Sequence, residues 1–239
     1  TTLGAAVTLV AFSLYLYFDF AGYSDIAVAV GGIFGFDLPE NFDYPYVSRS
    51  VGEFFRRWHA TLGKWLFRHV YLPLGGSRQG MARTLLSLAA VWLCTALWHG
   101  ATACYLLWGA YFFVLLAVEK LCFPKGFRIG ILPTLLLVLP GWVFFFSDGF
   151  AAASDFFGRL FCLGGTLLYS RADLYDVLRY APFLLLSALA ATPLFRDAMR
   201  AVCRRLGDLP RHAAALCGFV LALAYAAAGG YTPFLYASY

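Results

Sequence analysis

The stretch VGEFFRRWHATLGKWLFRHVYLPLGGSRQGMAR, residues 51–83, decides the fold, because it is a dense basic island in a chain that is otherwise hydrophobic. On a wheel turning about 100° per residue, Phe54, Phe55, Trp58, Leu62, Trp65 and Leu66 fall on one face, and Arg57, Lys64 and Arg68 fall opposite. This pattern predicts one helix from Phe54 to His69, lying in a membrane interface with its aromatics in the acyl boundary and its cations among headgroups or water. His59 lands at the edge of the apolar face, beside Phe55 and Leu66, where an imidazole can face into the protein. A break is expected at Pro73-Leu74-Gly75-Gly76.

Outward from this island, the composition is that of a membrane protein. Of 239 residues, 62% are hydrophobic, 19% aromatic and only 13% charged, where ordinary soluble domains have roughly 25% charged residues. The expected class is all-α: a polytopic transmembrane protein with interfacial and re-entrant helices, one membrane domain over 1–239 and no soluble appendage. The six cysteines stand singly, without zinc or redox spacing, so neither a metal site nor a disulfide framework is expected. The +5 net charge reports topology in such a chain. Nucleic-acid binding is dismissed.

Spans are expected at Leu3–Phe18, Thr84–Trp98, Cys104–Leu121, Ile131–Phe146, Ala181–Leu194 and Ala213–Ala228. The first lacks a cationic leader region and reads as an internal span. It is expected to end at Asp19, with a glycine-rich re-entrant or broken segment at 21–36 capped by Ser24 near Asp25. Residues 38–46, LPENFDYPY, read as a turn-rich interfacial loop, and 148–161 as an amphipathic connector. Seven basic residues in 49–83, three in 120–128 and five in 196–211 hold fifteen of the eighteen cations. The span count puts these three segments on one side, which the positive-inside rule makes cytoplasmic. His99 then sits at the outward end of its helix.

Two histidines carry the chemistry. An ionisable side chain at membrane depth, such as His99 in ALWHGA, is by default a functional candidate; the alternative is a polar residue in the aromatic belt. Thr95, one turn earlier, is placed to orient the ring. His59 in RRWHATLG is either a second site residue or one more headgroup contact. Two neutral imidazoles on separate helices suit an acyl-transfer centre, since each can take a proton from a hydroxyl and return it to a leaving group. The PLGGSRQG loop invites a phosphate reading through Gly75, Gly76 and Arg78, but it lacks the spacing and Lys of a Walker loop, and a structural turn is the favoured reading. Asp19 and Asp25 are capping groups or part of a polar network.

YFDFAGYSD (17–25), LPENFDYPY (38–46), FFRRWHATLGKWLFRHVYLPLGGSR (54–78) and LWHGA (97–101) together resemble the membrane-bound O-acyltransferase family, in its bacterial polysaccharide branch of alginate O-acetylation proteins and teichoic-acid D-alanyl transferases. GWVFFFSDGFAAASDFFGRLF (141–161) and the ending PFLYASY are similar to later parts of that branch. The resemblance implies the C-terminal portion of a longer architecture, a chamber of tilted helices open toward both membrane faces, and His99 and His59 as the two catalytic positions. It makes Trp58, Arg57, Trp98, Thr95, Gly75, Gly76 and Arg78 candidates for contact with substrate or donor, and Asp19, Tyr23, Asp25 and Asn41 structural polar groups. The implied activity is transfer of an acyl group, foremost acetyl, from a thioester donor, acetyl-CoA or an acyl-carrier protein, to a hydroxyl of an extracytoplasmic polysaccharide or carrier. No bound cofactor is implied. The implied partners are the bilayer of the inner membrane, the acceptor polymer and a periplasmic acetyltransferase protein. D-alanyl transfer to teichoic acid is the alternative within the family; a transporter-like or non-catalytic subunit is the alternative outside it.

Overall fold

The computed structural model describes residues 1–124 and 126–228, and among these every regular element is helical. The resemblance noted for PFLYASY falls outside the described residues. Among the described residues four helices are long and apolar enough to cross a membrane: α1 (Thr2–Ile33), α4 (Gly80–His99), α5 (Ala103–Cys122) and α11 (Leu209–Ala227). A fifth crossing forms if α9 (Arg171–Ala190) and α10 (Pro193–Leu206), bent by 76°, act as one. Between them, among the described residues, lie the short helices α2 (Val51–Arg57), α3 (Ala60–Leu66), α6 (Ile131–Val138), α7 (Gly141–Phe146) and α8 (Phe150–Leu160).

The first helix differs from expectation. α1 runs unbroken through Asp19, Ser24 and Asp25 for 32 residues, about 48 Å at 1.5 Å per residue. Thr1, not Ser24, caps it, accepting from Gly4 N–H. Each added helical residue gains a hydrogen bond once the helix exists, so isolated glycines costing about 1 kcal/mol each do not stop it. Ser24 is instead buried in mid-helix, where its hydroxyl accepts a hydrogen bond from Asn41 Nδ2 at 3.0 Å. The helix ends only at Phe34-Gly35, where Gly35 turns left-handed with φ 81°.

The predicted interfacial helix is broken in two. α2 stops at Arg57, and His59 takes the left-handed conformation (φ 47°, ψ 48°) before α3 begins. The loop after α1 supplies the bonds that the break frees. Asp43 N–H donates to the Arg57 carbonyl at 3.0 Å, and the Asn41 carbonyl accepts from Ala60 N–H at 2.9 Å. The helical wheel could not register this, because the partners come from residues up to about twenty positions away. α3 continues into a wide helical turn over 67–71.

Two other spans also depart from their expected shape. Residues 131–146 are broken at Leu139-Pro140 into α6 and α7, because proline cannot donate to the preceding turn. α9 starts ten residues before the expected Ala181, nucleated by a reciprocal Ser170–Asp173 capping box.

The core lies where α1, α2, α5 and α7 converge and is largely aromatic. Phe54, Phe112 and Trp142 are at most 1% exposed, with Trp58 4.8 Å from Trp142 and stacked on Phe54 at 5.5 Å. Such ring pairs each add about 0.5–1.5 kcal/mol beyond simple burial. Tyr46 ties the 38–50 loop to this core by donating to the Ser13 carbonyl at 2.6 Å.

Candidate active site

α4 and the α2–α3 break meet at one cavity of about 1180 Å³. His59 and His99 both line it, with Trp92 and Thr95 from α4 and Trp108 from α5. Along α4 the lining residues run Leu88, Val91, Trp92, Thr95, His99, one stripe of the helix. From Leu88 to His99 this is about 16 Å of depth at 1.5 Å per residue. The buried lining is mostly aromatic and aliphatic, and the exposed lining, which marks the opening, includes the cations Arg56, Lys64, Arg68 and Lys120 beside Trp65 and Phe67, with Glu119 also on the wall.

His99 ends α4 and is held among rings: Trp108 meets it edge-on at 5.1 Å, Phe145 at 5.2 Å, and Tyr105 lies at 6.1 Å. His59 is held by polar contacts. Its Nδ1 lies 3.0 Å from Asn41 Oδ1, and the same oxygen accepts from Thr61 N–H at 3.2 Å and Thr61 Oγ1 at 2.8 Å. Phe20 of α1 closes the other side, edge-on at 4.7 Å.

Burial in this apolar pocket pulls His59 down from 6.5 to about 4, so the ring is neutral at physiological pH. An unfolded chain protonates this histidine first as pH falls. The stability it contributes is therefore complete above pH 6.5 and lost progressively from there toward pH 4. Replacing it with the non-titrating glutamine is expected to reduce the acid-induced loss, by on the order of 2 kcal/mol at pH 5. Thermal unfolding in detergent at pH 7.5 and pH 5 measures this; equal acid losses in wild type and His59→Gln would contradict it.

Among the other sequence candidates, Trp58 borders the cavity but is 5% exposed and is chiefly a core ring. Thr95 borders it too, and its hydroxyl proton is committed to the Val91 carbonyl at 2.7 Å, so it does not donate to His99. Arg57 lies outside the lining, paired with Glu53 at 2.9 Å and donating to the Asp43 carbonyl at 3.2 Å. Trp98 is 69% exposed and off the cavity, as suits the aromatic belt.

The PLGGSR segment reaches the cavity only through Ser77. Gly75 and Gly76 form a turn fastened to α4, with Gly76 N–H donating to Ser87 Oγ at 3.2 Å and Thr84 Oγ1 donating to the Gly76 carbonyl at 3.2 Å. A Cβ on Gly76 would lie 2.9 Å from the Tyr71 ring, at a φ of 52°. Arg78 is exposed away from the lining, as are Asp25 and Tyr23 on α1. Asp19 is half-buried on α1. Sequence reasoning missed Arg56, Lys64, Arg68 and Lys120 as one group, since a wheel sorts cations along one helix and says nothing of which helices share an opening.

The three basic segments are tied to one another through residues in or next to them. Gly52 N–H donates to Glu119 Oε2 at 3.0 Å, Gly130 N–H to the Arg49 carbonyl at 3.2 Å, and the Arg196 guanidinium stands 5.0 Å over the Tyr44 ring.

These features define a polytopic helical membrane protein with a deep cavity lined by two histidines and opened on a basic face. Residues 1–128 match the model of the membrane-bound O-acyltransferase family, and the chain belongs to that family. It is 41% identical to a "Probable alginate O-acetylase AlgI" of Pseudomonas fluorescens over 69% of this chain and 34% of that protein. It is 33% identical to a "Peptidoglycan O-acetyltransferase" of Helicobacter pylori, over 69% of this chain and 33% of that one. A "Teichoic acid D-alanyltransferase" of Bacillus subtilis is 32% identical over 48% of this chain and 31% of its own length. The chain thus spans about a third of the length of the curated relatives it matches.

Proposed function

We propose that the protein acts in a membrane O-acyltransferase that moves an acyl group, acetyl foremost, from a thioester donor on the cytoplasmic side to a hydroxyl of an extracytoplasmic polysaccharide or carrier. The observation that carries this is the shared cavity: His59 and His99 come from separate elements and line one space about 16 Å deep that opens among cations. Clustering of the basic segments at one end supports an inner-membrane orientation with that opening toward the cytoplasm. The donor is acetyl-CoA or an acyl-carrier protein, used as substrate; both carry phosphate, which suits the cations at the opening. A periplasmic acetyltransferase protein is the proposed partner that receives the acyl group or hands it on.

In the proposed reaction His99 takes the proton of the acceptor hydroxyl as its oxygen attacks the thioester carbonyl. The C–S bond then breaks, the proton passes to the departing sulfur, and the products are an ester and a free thiol. His59 positions one of the reactants.

Inverted membrane vesicles given acetyl-CoA labelled in the acetyl group test this directly, with labelled ester on the acceptor polymer as the readout. Reversing Arg56, Lys64 and Arg68 to glutamate is expected to raise the donor KM roughly tenfold with little change in kcat, and to invert the salt dependence of that KM, since salt then screens a repulsion. No label from acetyl-CoA or from a charged carrier protein would exclude acyl transfer. Label from a D-alanyl carrier alone would favour the second reading, prompted by the Bacillus subtilis relative.

A further inference from the structure

We propose that Asn41 is a positioning residue: it fixes the ring tautomer of His59 and so presents a bare Nε2 to the cavity. This rests on the role proposed above for His59. The tautomer follows from a donor that has no choice. The backbone N–H of Thr61 can only donate, and it lies 3.2 Å from Asn41 Oδ1, so the amide oxygen, not the nitrogen, faces the His59 side. The amide nitrogen on the other side then donates to Ser24 Oγ at 3.0 Å, a hydroxyl free to accept from it. An amide oxygen accepts only. The His59 nitrogen 3.0 Å from it must therefore carry the ring proton, and in the neutral ring Nε2 keeps its lone pair.

Asn41 is built for this task. It is 8% exposed, and its own carbonyl accepts from Ala60 N–H at 2.9 Å while its side chain takes Thr61 N–H, the Thr61 hydroxyl and His59. One residue thus satisfies the first two N–H groups of α3 and holds the ring beside them. A left-handed backbone at a non-glycine residue costs roughly 1–2 kcal/mol, which these bonds offset. The consequence for chemistry is directional. His59 Nε2 accepts a hydrogen bond from a hydroxyl or thiol, and it does not donate to an oxyanion.

Two measurements on the protein in its native membranes decide the matter. Solid-state NMR of histidine-labelled (15N) membranes, with the His59 signals identified by their loss in His59→Gln, is expected to show a protonated Nδ1 and an unprotonated Nε2 at pH 7. This needs no change at Asn41, so it stands even where a variant fails to fold. In turnover, Asn41→Ala is expected to lose roughly 100-fold. Asn41→Asp keeps the acceptor for His59 and Thr61, lets the Ser24 hydroxyl reverse and donate, and is expected to recover most of that loss. A wild-type ring protonated at Nε2, unchanged turnover in Asn41→Ala, or a folded Asn41→Asp no better than Asn41→Ala overturns the proposal. Full turnover in His59→Gln with an Nδ1–H ring would overturn the role given to His59, and the positioning function with it, while the tautomer assignment stood.

Discussion

His99→Ala is expected to abolish acyl transfer, with turnover falling by about 10²–10⁴-fold, the range that a general base supplies. The reason lies in the surroundings of the ring. Trp108 and Phe145 stand edge-on to it at 5.1 and 5.2 Å and hold the ring in the cavity wall, where a hydroxyl entering the cavity would meet it. Truncation removes the base and leaves no replacement at the inner end of the α4 stripe, whose other members are Leu88, Val91, Trp92 and Thr95. The measurement is ester content of the acceptor polymer in a strain lacking the gene and complemented with wild type or His99→Ala at matched membrane abundance. The aromatic wall does not depend on the imidazole for its packing, so insertion and abundance should be normal. Polymer acylated to the wild-type level would remove His99 from the reaction and return a transport pathway or a non-catalytic subunit to the front.

The second large effect is expected at Gly109, through geometry alone. α4 and α5 carry His99 and Trp108, and they cross closely there: a Cβ on Gly109 would lie 2.9 Å from the Trp92 carbonyl oxygen and 2.9 Å from Ala96 Cβ. The first of these is helix backbone and cannot swing aside, so the helices must part. Small residues that let helices approach are a common device in membranes, where packing rather than hydrophobic burial drives association. Gly109→Val gains a few tenths of a kcal/mol in helix propensity, against about 1–3 kcal/mol for overpacking, and the packing loss wins. The expected result is a fall of roughly 5 °C in unfolding temperature in detergent, together with reduced transfer, since Trp108 moves relative to His99. Gly109→Ala should shift both in the same direction by less. An unchanged unfolding temperature in Gly109→Val would mean that the crossing has slack and that the two helices do not set the His99–Trp108 geometry.

Much of this protein was legible from its residues. Apolar runs marked α4, α5 and α11 to within a few positions, because a span must be apolar over about 20 residues and nothing distant can alter that demand. The basic segments were assigned to one side by counting spans, and the contacts of Gly52 with Glu119 and of Arg196 with Tyr44 bring them to one end of the molecule. His99 and His59 were singled out as ionisable groups in unfavourable surroundings and by resemblance to a family, and the structure sets both on one cavity.

What periodicity misread has one physical cause: bonds between residues far apart in sequence. Asp19 and Ser24 read as the end of one helix and the cap of another, yet α1 continues, since Ser24 satisfies Asn41 instead. The basic stretch read as one amphipathic helix, yet it breaks at His59, since Asn41 and Asp43 take over the hydrogen bonds that a break releases. Arg57 and Trp98 neighbour the two histidines in sequence but lie off the cavity, while Arg56 of α2, Lys64 of α3, Arg68 of the turn after it and Lys120 of α5 all line it. The sequence by itself determined the membrane class and the spans α4, α5 and α11, because these follow from local hydrophobicity, and it marked the two histidines as candidates through their setting and the family resemblance. Only the tertiary structure decided where the interfacial helix breaks, which side chains hold His59 and which cations meet the cavity, because each depends on partners that folding alone brings together.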